Sequence, residues 1–96
     1  MVTLDEVKAR RNEVLRLARE NRASNVRIFG SVARGEAGPN SDLDILIDAD
    51  PGCTLFHLGG LLEDLKELFG SKVDLVVADG LKERARESVL RDAVSL

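Results

Sequence analysis

GSVARGEAGPNSDLD, residues 30–44, dictates how the rest of the chain must be arranged. An apolar stretch, residues 25–29, delivers a glycine and a serine, and ten residues later Asp42 and Asp44 open a second apolar stretch, residues 43–47. Alternate side chains of a strand share a face, so Asp42, Asp44 and Leu46 point one way and Leu43, Ile45 and Ile47 the other. Two carboxylates on one face of a half-buried strand are not packing residues, because a charge removed from water needs a partner. A divalent cation is the partner their chemistry favours. Magnesium prefers oxygen ligands and is commonly held by one or two carboxylates together with substrate phosphates. The Gly-Ser turn is placed to receive those phosphates. Gly30 lets backbone come close to a ligand, and Ser31 is expected to cap a short helix, residues 32–36, whose first N–H groups make an anion site. Arg34 is a candidate charge-assisted donor to a phosphate.

Towards the C-terminus, KVDLVV at residues 72–77 reads as a third strand, and Asp74 interrupts its apolar run as a third metal or base carboxylate would. At an effective dielectric of about 20, like charges ~4 Å apart repel by roughly 4 kcal/mol. Asp42, Asp44 and Asp74 therefore converge on a metal site or do not converge at all. Two divalent ions ~3.5–4 Å apart can stabilise both the attacking and the leaving oxygen of an in-line displacement at phosphorus. Such chemistry needs positioning and charge neutralisation rather than a nucleophilic side chain, which suits a chain with no plausible triad. Asp42 and Asp44 are assigned to the metals, and Asp74 to a metal or to activating the incoming hydroxyl. Ser31 and the Gly30 backbone are assigned to the phosphates of a nucleoside triphosphate. Asp48 shares the Asp42/Asp44 face but reads as a solvated strand end.

The remaining elements frame this stretch. Residues 3–19 carry Leu4, Val7, Val14, Leu15 and Ala18 near helical period, with Thr3 and Glu6 as a capping box and Val2 and Val7 as its hydrophobic staple. Asp50-Pro51-Gly52 is a turn, and Thr54 caps a helix over residues 55–69 that buries Leu58, Leu61, Leu62, Leu65 and Phe69 and stops at Gly70. His57 reads as a surface position of that helix. Asp79 is expected to cap a last helix, residues 81–94, with Leu81, Ala85, Val89, Leu90 and Val94 inward. The order of elements predicts an α/β domain, a small sheet covered by helices, as one domain over residues 1–96.

Composition narrows the class. Apolar residues are 44% and charged residues 32%, and no apolar run approaches the ~20 residues of a membrane span. The first residues lack the apolar segment of a signal peptide, so a cytoplasmic location is expected. Cys53 has no partner cysteine, which argues against a disulfide or a structural zinc. Residues 1–34 hold eight Lys/Arg against four Asp/Glu and the remainder six against thirteen, so a basic third faces an acidic rest. With three aromatics, all Phe, the chain lacks the stacking platforms of a direct nucleic-acid binder.

Gly30-Ser31, ten residues, then Asp42-Leu43-Asp44 resembles the signature of the DNA polymerase β-like nucleotidyltransferase superfamily. IFGSVARGEAGPNSDLDILI, KVDLVV and LKERARESVLRDAV together resemble its minimal nucleotidyltransferases, from about Val26 onward. The resemblance implies the nucleotidyltransferase fold, with a small mixed sheet. It also implies two magnesium ions and transfer of AMP from ATP to a tyrosine of a HEPN-domain toxin, for which such proteins serve as antitoxins. Two other readings stay open on the residues alone: a binding module that covers a toxin without catalysis, and transfer to a small molecule.

Overall fold

The computed structural model describes residues 2–96. In chain order the elements are α1 (Leu4–Ala9), α2 (Arg11–Glu20), β1 (Ala23–Phe29), α3 (Gly30–Arg34), β2 (Leu43–Ala49), α4 (Leu55–Phe69) and β3 (Val73–Val77). A 3-10 turn at Ala78–Gly80, α5 (Glu83–Asp92) and the two-residue β4 (Val94–Ser95) complete the chain. One mixed sheet has the order β3-β2-β1-β4. β1 is antiparallel to both β2 and β4, whereas β2 and β3 are parallel and joined through α4, as a parallel pair requires a crossover. The expected small mixed sheet with helices is the fold observed.

Leu43, Ile45 and Ile47 alternate onto one face of β2 and are fully buried. There they share a core with Val7, with Val14 and Ala18 of α2, and with Leu61 and Leu65 of α4. Burying side chains of this size contributes roughly 1.5–3 kcal/mol each, so this face anchors β2 firmly. Leu46, on the other face with Asp44, is also buried but lies outside that core cluster. β2 is thus held by apolar contact on both faces just beyond the carboxylate it presents.

α4 spans the residues expected of it, because both its ends are written in the sequence. The Thr54 hydroxyl accepts from the His57 N–H, and the Thr54 N–H donates to His57 Nδ1 at 3.0 Å, closing a reciprocal capping box. His57 is therefore a capping residue and not merely a surface one. Gly70 adopts the left-handed conformation that ends the helix.

Elsewhere the structure departs from expectation. The helix expected over residues 3–19 breaks at Arg10, whose N–H is shared between the Glu6 and Val7 carbonyls at 3.3 and 3.1 Å. That 3-10 tightening ends α1, and no proline or glycine announces it. β1 starts at Ala23, two residues before the expected strand. The last helix begins at Glu83, not Leu81, and Asp79 lies in the 3-10 turn without capping it. It buries no residue, so Ala85 and Leu90 are exposed rather than inward. Val94 leaves the helix to pair with Ile28, and the Leu96 N–H donates to the Val26 carbonyl at 2.9 Å. The pairing satisfies backbone groups along an edge of β1 that would otherwise lie open.

Thr54→Ala should lower unfolding stability by about 1 kcal/mol in urea denaturation. His57→Ala should cost less, and the double variant should cost less than the two changes summed, because they break one reciprocal cap.

Candidate active site

Phe29 is the register partner of Asp44, so the chain leaving β1 must pass the Asp44 side chain at its next residue. That residue is Gly30, with φ of +71°. A Cβ at this position would overlap the Asp44 Oδ2 and stand 3.1 Å from its Cγ. Glycine is needed twice over here, once for the left-handed backbone and once for the space beside the carboxylate. The turn leads straight into α3, and this changes the role expected of Ser31. The N-cap position is Phe29, no side chain caps the helix, and Ser31 sits within the first helical turn. Because Gly30 turns the chain one residue early, the serine hydroxyl is not at the capping position. The first-turn N–H groups of α3 have no partner inside the helix, which begins at the glycine lying against the Asp44 carboxylate. Gly35, left-handed at φ +74°, terminates α3.

The strand register gathers the carboxylates. Asp44 is paired with Asp74 across the parallel β2–β3 ladder, where neighbouring strands lie about 4.8 Å apart and paired side chains share a face. Asp42 is exposed at the entrance to β2, Asp44 is half-buried, and Asp74 is exposed. None of the three takes part in an ion pair among the described residues. Burial first, then the charge of Asp74, then that of Asp42 push the Asp44 carboxyl above its ordinary range, while the Arg34 guanidinium pulls it down. Asp44 thus lies within reach of the charge of both other carboxylates. Among the described residues, however, no three acidic, histidine or cysteine side chains are already drawn to metal-ligating distance. Mutual repulsion is sufficient physical reason for that spacing.

Arg34 lies at the end of α3 with its guanidinium engaged. Its Nε donates to Glu36 Oε2 at 2.9 Å and its Nη1 to Asp92 Oδ2 at 2.8 Å. Both contacts favour its charged form. Glu36 is a local partner that the sequence makes plausible, but Asp92, 58 residues away, carries no local signal. Asp48 lies near the end of β2 with its side chain 44% exposed, but it is paired as well as solvated. It accepts from Arg27 Nη2 at 2.7 Å and from Asn25 Nδ2 at 2.9 Å, in an ion pair whose arginine is largely buried.

A glycine-turned loop beside an acidic strand end, leading straight into a helix start, is suited to hold a polyphosphate against cations. The sequence model of the nucleotidyltransferase domain matches residues 10–96. The chain belongs to the nucleotidyltransferase domain family. This nucleotidyltransferase is 37% identical over 95 residues to protein adenylyltransferase MntA of Thermococcus cleftensis, covering 98% of this chain and 96% of that relative. Its fold matches a structure described as a candidate minimal nucleotidyltransferase at a TM-score of 0.88 and 46% identity, over 99% of this chain and 97% of the other. It also matches a chain of a toxin–antitoxin complex with AMP-PNP at a TM-score of 0.73 and 26% identity, over 88% and 69% of the two chains. The family expected from residues 30–44 and the fold it implied both hold. No helix of the nucleotidyltransferase is long and apolar enough to cross a membrane among the described residues.

The raised Asp44 carboxyl has a pH consequence. A group that binds its proton more tightly when folded stabilises the fold below its unfolded value, and that contribution is lost as pH rises through the folded value. At neutral pH the metal-free protein therefore carries the full penalty of a charged Asp44. Asp44→Asn should raise the melting temperature of the metal-free protein at pH 7. The difference should shrink as pH falls towards about 4, measured by thermal denaturation across pH in the presence of chelator.

Proposed function

We propose that this nucleotidyltransferase is a magnesium-dependent protein adenylyltransferase. In this reading it transfers AMP from ATP to a tyrosine hydroxyl of a cognate HEPN-type toxin and so acts as that toxin's antitoxin. The observation that carries the proposal is the approach of Gly30 to Asp44, which brings the start of α3 against a carboxylate that has Asp74 paired beside it and Asp42 two residues before it. The acceptor class is supported by the relative named protein adenylyltransferase MntA and by the likeness to a toxin–antitoxin complex solved with AMP-PNP.

The donor set fits a divalent cation. Asp44 is held partly out of water among like charges, a condition that a cation would reverse, and its Oδ2 lies against Gly30, where only a residue without a Cβ fits. Asp42 and Asp44 would hold the metal, with Asp74 completing the set if two ions bind. Magnesium, when bound, supplies the positive charge that offsets the triphosphate and its leaving group. The chain's own groups do the rest. The first-turn N–H groups of α3 and the Ser31 hydroxyl hold the β- and γ-phosphates, and Arg34 adds a charged donor at the end of the same turn. The acceptor oxygen forms a bond to the α-phosphorus as the bond to pyrophosphate breaks. Asp74, exposed beside Asp44, is the carboxylate free to take the acceptor's proton.

A protein that only covered a toxin would gain nothing from three conflicting charges, and the intact carboxylate set favours catalysis over that reading. The test is the intact mass of the toxin after incubation with ATP, magnesium and either the parent protein or the Asp42→Asn/Asp44→Asn double variant. The parent should add AMP, and the double variant should be slower by at least about a hundredfold while still forming the complex. A toxin inhibited equally by both proteins, with no mass gained from either, would reverse the assignment in favour of the binding module.

A further inference from the structure

Among the described residues Arg34 is the cation whose charge acts on Asp44, and its side chain is held from two directions. Glu36 lies two residues along the same segment, is mostly exposed, and moves with the loop that carries Arg34. Asp92 comes from the far end of the sequence, and only a quarter of its side chain is exposed. It is also, with Val89, one of the two partly buried residues of α5, a helix that buries nothing completely. Asp92 is therefore the partner that can fix the guanidinium relative to the sheet rather than relative to its own loop.

The geometry of the two contacts leaves a defined edge open. Glu36 takes the Nε edge and Asp92 takes Nη1, so Nη2 has no protein partner among the described residues. Two contacts at different nitrogens of a planar group set its plane, and the remaining donors then have a fixed direction. An arginine ordered in advance loses less rotamer freedom when an anion binds than one that must be ordered at that moment.

We propose that Asp92 is a positioning residue for the triphosphate: it acts through Arg34, holding the guanidinium so that its unpartnered Nη2 edge is presented to the nucleotide. The inference rests on the reading of Gly30, Ser31 and Arg34 as the phosphate-binding side of the site. It adds that α5, which supplies no catalytic group, contributes to nucleotide affinity through one carboxylate. It also places a link between the nucleotide and the chain's last helix and strand, since β4 continues directly from the end of α5.

A double-mutant cycle tests this by titration of the full chain with AMP-PNP and magnesium. Asp92→Asn should weaken nucleotide binding about three- to fivefold, as expected of a partly exposed ion pair acting through its partner. Asp92→Glu, which keeps the charge, should regain most of that loss. In an Arg34→Ala background, Asp92→Asn should have no further effect. A loss of the same size in both backgrounds, accompanied by a lower melting temperature, would mean that Asp92 only secures α5, and the inference would fail. Parent and Asp92→Asn binding equally would overturn the inference alone. A parent protein that binds no nucleotide would overturn the reading of the site and this inference with it.

Discussion

The Asp44 carboxylate occupies the place where the side chain of any other residue at position 30 would have to begin. This single close approach ties the two halves of the site together. It follows from the antiparallel register, in which Phe29 faces Asp44 and the chain must turn at the next residue. The left-handed Gly30 makes the turn, and α3 starts at once beside the Asp44 carboxylate. Everything else in the domain can be seen as holding that register. The apolar face of β2 is clamped by α2 and α4, and β4 secures the outer edge of β1.

The parallel pairing of β2 with β3 then adds the destabilising part. It sets Asp74 beside Asp44 with no compensating cation among the described residues close enough to form an ion pair. Arg34 offsets part of the charge at a distance while its Nε and Nη1 are taken by Glu36 and Asp92. The fold tolerates this because the opposite face of the same strand is packed throughout. Leu43 and Ile45, the immediate neighbours of Asp44 in sequence, are both fully buried. Stability is drawn from one face of β2 and given up on the other, which is the pattern expected where function requires groups that would not be chosen for packing.

What the sequence makes legible divides along physical lines. α4 can be read to the residue because a side-chain cap and a left-handed glycine mark its ends and leucines mark its face. The carboxylate face of β2 is equally legible, since alternation in a strand leaves no other arrangement. Four features could not be read. The break at Arg10 has no proline or glycine, only a shared hydrogen bond that depends on tertiary setting. The short β4 pairs through backbone alone, and two residues hold too little pattern to distinguish a strand from the end of a helix. Ser31 looked like a cap because serine before an apolar residue usually is one, but the positive φ of Gly30 moved the start of the helix. The Arg34–Asp92 contact joins residues 58 apart and is visible only in three dimensions.

If Asp44, flanked by Asp42 and Asp74, is there to meet a cation, then binding one must stabilise the fold. The most direct measurement is thermal unfolding of the parent protein with chelator, with millimolar magnesium, and with magnesium plus AMP-PNP. Ligand that binds only the folded state adds about 2.7 kcal/mol at a hundred times its dissociation constant, which for a chain of this size is an upward shift on the order of ten degrees or more. The account predicts a rise with magnesium and a larger one with nucleotide added. A melting temperature unmoved by magnesium, with or without nucleotide, would contradict it.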